Sequence, residues 1–126
     1  KNFLKTILNL GKSKKTIQVV NDQFGRPTSG LSLARNILKH IEHPDFWKFR
    51  CLHFANKGKA SWYDLAKEIV IQHRLDVKIE PIQTKDYPTI ATRPKNAVLS
   101  TNRFENTLNL TIPNWQTALK ECLEHI

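Results

Sequence analysis

The sequence predicts an α/β fold in which short strands alternate with about four to five helices. Two observations lead to this class: apolar residues recur at helical spacing in several stretches, and β-branched or alternating apolar runs separate them. The length of 126 residues fits one domain, residues 1–126. A chain of this size buries roughly two-thirds of the surface that its unfolded form exposes, so it can form a real core.

The first half of the chain contains four predicted elements. Apolar residues at helical spacing from Phe3 to Leu8 predict a helix that Gly11 ends. The β-branched and apolar residues 16–20 predict a strand. A second helix should end before Pro44, and its predicted apolar face consists of Ala34, Ile37, Leu38 and Ile41. Residues 51–55 then predict a short apolar strand.

The second half begins with a capping-box variant, in which Ser61 and Asp64 open a helix over residues 62–73. Its buried face is expected to contain Trp62, Leu65, Ala66, Ile69 and Val70. Residues 77–82 alternate like a strand, and residues 97–99 are a weaker strand candidate. Pro113 is expected in the first turn of a last helix. That helix carries an apolar stripe formed by Trp115, Ala118, Leu119, Cys122, Leu123 and Ile126.

Composition restricts the class of protein. The formal net charge of +9 could serve an anionic partner. The basic residues are scattered, however, apart from a cluster around Lys14, and aromatic residues do not alternate with them, so a solvated surface is favoured over a nucleic-acid interface. No apolar run approaches the about 20 residues of a membrane span, and no signal-peptide pattern is present. We expect a cytoplasmic protein. Because the chain starts at Lys1 and contains no methionine, we expect a fragment of a longer protein.

The cysteines, histidines and serines do not form a catalytic or metal-binding pattern. Cys51 and Cys122 lie in apolar surroundings without paired spacing, which predicts buried free thiols. The histidines have no metal-ligand spacing with cysteines or carboxylates, and His40 and His43 are expected on the outer side of their helix. Three serines that lack a nearby base in sequence are explained as helix-start residues: Ser29, Ser32 and Ser61.

Residues 22–28 form the strongest candidate ligand site. They follow a predicted strand and precede a helix start, where open α/β proteins usually hold a ligand. Gly25 permits backbone angles closed to other residues, and Pro27 fixes φ. The side chains that suit a sugar or a phosphate are Asp22, Gln23, Phe24, Arg26 and Thr28. The alternative is a structural turn in which Asp22 bonds its own turn and Thr28 caps the next helix.

Tyr63 and Lys67 match the Tyr-x-x-x-Lys pattern of short-chain dehydrogenase active sites, in which the tyrosine supplies a proton and the lysine lowers its pKa. Helical geometry argues against that role. At about 100° per residue, Tyr63 lies at the edge of the buried face and Lys67 points well away from it. We expect the lysine stem to stack on the tyrosine ring at the surface.

Four motifs in order resemble the C-terminal half of the dTDP-4-dehydrorhamnose reductases, which are extended short-chain dehydrogenases. The motifs are DQFGRPT at residues 22–28, HFANKG at 53–58 with SWY at 61–63, TKDYPT at 84–89, and RPKN at 93–96. Each motif alone is modest, but four in order at compatible spacing make a specific signal. The resemblance covers nearly the whole chain.

The resemblance implies a substrate-binding portion whose Rossmann-type parent reduces dTDP-4-dehydro-L-rhamnose to dTDP-L-rhamnose. An N-terminal domain would hold NADPH, or NADH, together with the catalytic residues. The glycines of this chain are too far apart for a dinucleotide turn, so we expect no cofactor here. The resemblance also implies that this chain has no catalytic residue and that the isolated fragment is inactive. The expected substrate-binding residues are Gln23, Phe24, Gly25, Pro27, Thr28, Arg93 and Asn96.

Within this set, the resemblance implies that Arg93 meets the diphosphate, and Asn96 supplies a neighbouring polar contact. Arginine is well shaped to pair with phosphate oxygens, although a surface salt bridge is the alternative for Arg93. Many family members carry serine where this chain has Ala97, so any hydroxyl contact there is lost.

The expected partners are a dTDP-sugar and the N-terminal Rossmann domain of the parent, with no nucleic acid and no membrane. A homodimer of the isolated fragment is also expected, because severed apolar surface favours association. Two other functions stay open. The parent could be a non-catalytic homologue that resembles the regulatory subunit of methionine adenosyltransferase, or the chain could be a basic nucleic-acid-binding module.

Overall fold

The computed structural model describes residues 2–87, 89 and 91–126, so Lys1 and Pro88 of the third motif lie outside the described residues. Five α-helices are found there: α1 Phe3–Gly11, α2 Gly30–His40, α3 Trp62–His73, α4 Asn102–Leu108 and α5 Trp115–Glu124. The strands are β1 Thr16–Val20, β2 Phe24–Gly25, β3 Ala60–Ser61 and β4 Lys78–Ile82, and a 3-10 helix spans Thr84–Asp86. The prediction of short strands alternating with four to five helices is confirmed.

The chain divides into two compact units. The first contains Lys1–Gly25 and Lys59–Ala97, and the second contains Arg26–Gly58 and Val98–Ile126. All four strands of the described residues lie in the first unit, together with α1 and α3. The second unit contains α2, α4 and α5.

The first unit is built on β1 and β4, which pair in parallel from Thr16 opposite Lys78 to Val20 opposite Ile82. Helices α1 and α3 contact each other and this strand pair. The buried apolar residues of the unit include Ile7, Leu8, Ile17, Val19, Ala66 and Ile69. Full burial of an aliphatic side chain contributes about 1.5–3 kcal/mol, so this core holds the strand pair in place.

Helix α3 begins and ends where the sequence predicts. The Ser61 side chain accepts a hydrogen bond from the Asp64 amide, and the Asp64 carboxylate accepts one from the Ser61 amide, which completes the capping box. Trp62 was expected on the buried face, but this side chain is 46% exposed and packs against the Phe3 ring at a centroid distance of 4.9 Å. As the first residue of the helix, Trp62 lies at the edge of the core rather than within it.

The second unit has an apolar cluster at α4. Phe104, Leu108 and Ile112 are buried, and the partly buried residues Phe46, Leu52, Phe54 and Leu110 pack against them. Helix α5 buries Trp115, Ala118 and Leu119. Gly58 has φ of +90°, and a Cβ built on it would lie 2.7 Å from Trp115 Cδ1. Only glycine fits this position without strain.

Several local predictions are wrong. Residues 51–55 form no strand, because the second unit has no strand among its described residues for them to pair with. Residues 97–99 form none either, since pairing there is limited to an isolated bridge between Phe24 and Asn96. Helix α5 starts at Trp115 with Asn114 as its N-cap, so Pro113 precedes its first turn. Helix α4 was not predicted.

The orientation of α2 also differs from expectation. Leu38 is 75% exposed, Ile37 and Ile41 are exposed, and the helix instead buries Ser32 and His40. The His40 ring satisfies its Nδ1 locally, 2.9 Å from the Asn36 carbonyl oxygen, which allows it to face inward. Periodicity therefore predicted the helix but not the face that is buried.

The cysteines are not buried. Cys51 is exposed and Cys122 is half-buried, with its Sγ 3.2 Å from Ser29 Oγ. No group of three or more potential metal ligands is found within the part of the chain that the structure describes. Likewise, none of the described helices combines the length and apolar character that crossing a bilayer requires.

Candidate functional site

The candidate site of the first unit lies at the carboxyl ends of two parallel strands. Residues 21–25 follow β1, and the 3-10 helix Thr84–Asp86 follows β4. The Asn21 amide donates to the Ile82 carbonyl at 3.0 Å, which extends the pairing beyond β1. The carboxyl ends of parallel strands are where α/β proteins place ligands, because the loops that follow neighbouring strands meet there.

Asp22, in the loop after β1, forms hydrogen bonds to Thr84, which follows β4. Its Oδ1 accepts hydrogen bonds from the Thr84 amide at 2.9 Å and from Thr84 Oγ1 at 2.6 Å. The bond from the Thr84 hydroxyl lowers the pKa of the Asp22 carboxyl, assisted by the Thr84 amide and nearby Lys95, while burial opposes the shift. The alternative in which Asp22 bonds only its own turn is incomplete, because its carboxylate also bonds a residue 62 positions away.

Gln23 takes part in the same cluster. Its Nε2 donates to Thr84 Oγ1 at 3.0 Å, and the side chain is half-buried. Thr84 was not singled out by the sequence as a site residue. Its position in the third motif was the signal that could have identified it.

Phe24 brings the first and fourth motifs together. Its amide donates to the Lys95 carbonyl at 2.9 Å, and its carbonyl accepts from the Ala97 amide at 2.8 Å. On its other side, β2 pairs antiparallel with β3, so Phe24 lies opposite Ser61. Lys59 Nζ lies 4.3 Å from the centroid of the Phe24 ring. These contacts fix the backbone of the loop beside residues 93–97.

The other predicted residues of the first unit lie along the same two segments. Gly25 pairs with Ala60 and has no positive φ, so its conformation does not require glycine. Asn96 is the bridge partner of Phe24, and Arg93 lies three residues earlier with an exposed side chain. The structure thus brings Gln23, Phe24, Gly25 and Asn96 into adjoining segments, with Arg93 on the same segment as Asn96.

Pro27 and Thr28 belong to the second unit. Thr28 Oγ1 donates to the Arg26 carbonyl at 3.0 Å, while Ser29 is the N-cap of α2 and accepts from the Ser32 amide at 3.2 Å. The alternative in which Thr28 caps the helix is therefore wrong, and the Thr28 side chain is exposed.

A polar network that the sequence did not reveal anchors Arg26. Its Nη1 donates to Thr101 Oγ1 at 3.1 Å, and Thr101 Oγ1 lies 3.2 Å from Glu105 Oε2. Glu105 also accepts from the Ile112 amide at 3.0 Å and pairs with Lys57 at 2.9 Å. Burial alone would raise the pKa of Glu105, but these bonds together lower it.

Asn56 is the other anchor of the second unit. It is 0% exposed, and its Oδ1 accepts from the Ser29 amide at 2.9 Å. Its Nδ2 donates to Ser32 Oγ at 3.1 Å and to the Pro113 carbonyl at 3.2 Å. This one amide therefore fixes the start of α2, immediately after Thr28, and explains an asparagine in the second motif.

The Tyr63 and Lys67 pair behaves as helical geometry predicted. Tyr63 is half-buried, Lys67 is exposed, and Lys67 Nζ lies 5.5 Å from the centroid of the tyrosine ring. A surface cation–π contact of this kind contributes about 0.5–1 kcal/mol. The pair has a structural explanation that needs no catalytic role.

Comparison with known proteins covers the whole chain. The family model described as "RmlD substrate binding domain" matches residues 1–126. A dTDP-4-dehydrorhamnose reductase of Escherichia coli K12 is 33% identical over 136 residues, covering 99% of this chain and 44% of that protein. The spore coat polysaccharide biosynthesis protein SpsK of Bacillus subtilis is 33% identical over 123 residues, covering 98% of this chain and 42% of that protein.

Solved structures agree with these relatives. A dTDP-4-dehydrorhamnose reductase of Clostridium acetobutylicum is similar with a TM-score of 0.90 and 41% identity, covering 99% of this chain and 44% of that one. The Bacillus anthracis reductase, solved in complex with NADP, gives a TM-score of 0.86 and 32% identity, covering 99% and 43%. This chain thus spans less than half the length of the relatives that it matches.

Proposed function

The chain belongs to the RmlD substrate binding domain family, and we propose that it is the substrate-binding part of an NADPH-dependent reductase. The proposed parent reaction converts dTDP-4-dehydro-L-rhamnose to dTDP-L-rhamnose, in nucleotide-sugar and cell-surface polysaccharide biosynthesis. The relatives reported above are named as reductases or as a polysaccharide biosynthesis protein. Those names do not favour the regulatory-subunit or nucleic-acid alternatives.

The observation that carries this proposal is the pairing of Phe24 with residues 95–97. It joins the loop that contains Gln23 to the segment that contains Arg93, although the two are distant in sequence. One segment offers an amide and an aromatic ring, which suit a sugar or a base. The other offers an exposed guanidinium, which can form two parallel hydrogen bonds to a phosphate. A nucleotide sugar contains all of these groups.

The role of the chain in the reaction is to orient the keto-sugar. Reduction adds a hydride to the C4 carbonyl carbon and a proton to its oxygen, and a bound nicotinamide cofactor supplies the hydride. Holding the sugar in reacting geometry can contribute several kcal/mol, about 7–11 in the best cases, toward the barrier. We assign the orientation of the sugar nucleotide to Gln23, Phe24, Gly25, Pro27, Thr28, Arg93 and Asn96.

Cofactor binding is assigned to a part of the parent outside this chain. A pyrophosphate site needs closely spaced glycines at a helix start. The four glycines here are Gly11, Gly25, Gly30 and Gly58. Among the described residues, Gly58 is the one glycine with positive φ, and it packs against Trp115. This glycine is therefore committed to the second unit's own core.

The nucleotide-binding domain of the parent is also the proposed partner of α2. Leu38, Ile41 and Trp47 expose apolar surface in the second unit, and Trp47 is 69% exposed. The strand-like residues 51–55 lie in the same unit, with no strand partner among the described residues. In the isolated chain, the same surface should support a homodimer. Light scattering tests this assignment. A wild-type chain that is a monomer at all concentrations, with the same molecular mass for Leu38→Glu, would contradict it.

A nuclear magnetic resonance titration tests the proposed function. The ¹⁵N-labelled chain is titrated with dTDP-L-rhamnose, and shifts are expected at residues 22–28 and 93–97. Arg93→Ala should raise the Kd about tenfold, because one desolvated phosphate contact is lost. Lys14→Ala is the matched control, since Lys14 is an exposed cation that precedes β1, whereas the candidate site follows the other end of that strand. An equal response of both variants would exclude the assigned role of Arg93.

A further inference from the structure

We propose that Thr84, directed by Asp22, fixes the orientation of the Gln23 carboxamide, so that Gln23 presents a hydrogen-bond acceptor to the ligand. Thr84 and Asp22 are then positioning residues, and Gln23 becomes a residue that distinguishes ligand donors from ligand acceptors. The inference rests on the proposed function, because it concerns the same sugar-nucleotide site.

The orientation follows from counting protons. A threonine hydroxyl has one proton to donate, and an ionised carboxylate can only accept. The distance of 2.6 Å between Thr84 Oγ1 and Asp22 Oδ1 is that of a strong, charge-assisted bond. The Thr84 proton is therefore committed to Asp22. The remaining Thr84 lone pairs can only accept, so the Gln23 group that faces them at 3.0 Å must be the NH2 group.

The reversed amide is disfavoured by the same count. It would bring Gln23 Oε1 against Thr84 Oγ1, two oxygens with no proton between them. Thr84 cannot turn away easily, because its own amide also donates to Asp22 at 2.9 Å and it begins the 3-10 helix. Lys95 lies near enough to favour the charged form of Asp22. The three side chains thus form one hydrogen-bonded chain, in which Gln23 donates to Thr84 and Thr84 donates to Asp22.

The consequence concerns the chemistry of the ligand. With one N–H of Nε2 bonded to Thr84, Gln23 keeps its second N–H and its Oε1 for a ligand. Oε1 is its acceptor, and it has no partner among the residues that the structure describes. An amide oxygen accepts from hydroxyl or imide N–H groups and gains nothing from a phosphate oxygen. Through Oε1, Gln23 should therefore bind a sugar hydroxyl or the N3–H of thymine. A cationic group is expected to bind the diphosphate.

The test compares Thr84→Val with Thr84→Ser in the titration with dTDP-L-rhamnose. Valine keeps the branched shape but removes the hydroxyl, so the Kd should rise about tenfold. Serine keeps the hydroxyl and should stay within about twofold of the wild-type Kd. In a Gln23→Ala background, Thr84→Val should have no further effect, which a merely structural role would not produce. Thr111→Val, at an exposed position, is the control for a hydroxyl-to-methyl change.

Asp22→Ala provides a second variant. Asparagine would not serve, because its Oδ1 could still accept from both the Thr84 amide and the Thr84 hydroxyl, as the Asp22 Oδ1 does. Alanine removes this acceptor, which frees the Thr84 proton to point at Gln23 and favours the reversed carboxamide, so the Kd for dTDP-L-rhamnose should rise as in Thr84→Val. This variant keeps the test decisive if Thr84→Val fails to fold.

Two further ligands identify the donor. If Thr84→Val weakens the binding of free dTDP but not of N3-methyl-dTDP, the donor is the thymine imide. If Thr84→Val weakens the binding of dTDP-L-rhamnose but not of free dTDP, the donor is a sugar hydroxyl. Equal Kd values for wild type, Thr84→Val and Asp22→Ala would overturn the inference and leave the proposed function intact. The same loss with P1,P2-dimethyl diphosphate, a fully ionised diester that offers only acceptors at neutral pH, would also overturn it. A wild-type chain that binds none of these ligands would overturn both.

Discussion

Replacing Asn56 by alanine removes three hydrogen bonds at once, from the buried amide that holds the start of α2. The Ser29 amide, the Ser32 hydroxyl and the Pro113 carbonyl would each lose a partner. Because Asn56 is 0% exposed, water cannot replace it without rearrangement. Each lost bond costs about 1 kcal/mol, and more where the remaining group stays buried, which gives a destabilisation of about 3 kcal/mol.

Urea unfolding followed by tryptophan fluorescence measures this loss, since Trp115 is buried in the same unit. At about 4 °C per kcal/mol for a chain of this size, the melting temperature should fall by about 12 °C. Asn106→Ala, at an exposed position on α4, is the matched control and should stay within about 0.5 kcal/mol of wild type. A loss below about 1 kcal/mol for Asn56→Ala would refute the argument that this amide anchors the segment after Thr28.

Two further predictions concern the second unit. Gly58→Ala should destabilise the chain by at least about 2 kcal/mol in the same assay, because the new Cβ would meet Trp115 at 2.7 Å on a backbone with φ of +90°. Gly30→Ala, where a Cβ meets nothing within 4 Å, is the control and should be neutral or slightly stabilising. Glu105 has a lowered pKa in the folded chain, so its contribution to stability is present above its ordinary value of 4.5 and is lost as the pH falls through the folded-state pKa. Glu105→Gln should therefore flatten the dependence of the unfolding free energy on pH below about 4.5; an unchanged slope would exclude this source.

Local sequence rules worked where an element is defined by its own residues. The capping box at Ser61 and the apolar spacing after it predicted the bounds of α3 correctly. The β-branched residues 16–20 predicted β1 in the same way. In both cases the residues that predict the element belong to the element or adjoin it, so the prediction does not depend on any distant residue.

Local rules failed where burial depends on a distant partner. Periodicity placed Leu38 on an apolar face of α2, but it could not tell whether that face is covered, and the side chain is exposed. Residues 51–55 have strand-like composition, yet a strand exists only when a neighbouring backbone pairs with it. In both cases the local sequence preference is present, but the distant partner that would cover the helix face or pair with the strand is missing from the local pattern.

The sequence by itself determined the fold class, the principal strands and helices, and the order of four motifs that place the chain in its family. Only the tertiary structure decided which residues of these motifs contact each other. Phe24 pairs with residues 95–97, and Asp22 bonds Thr84 across 62 positions. The physical reason is that hydrogen bonds between distant segments depend on how β1 and β4 align, and no local pattern encodes that register.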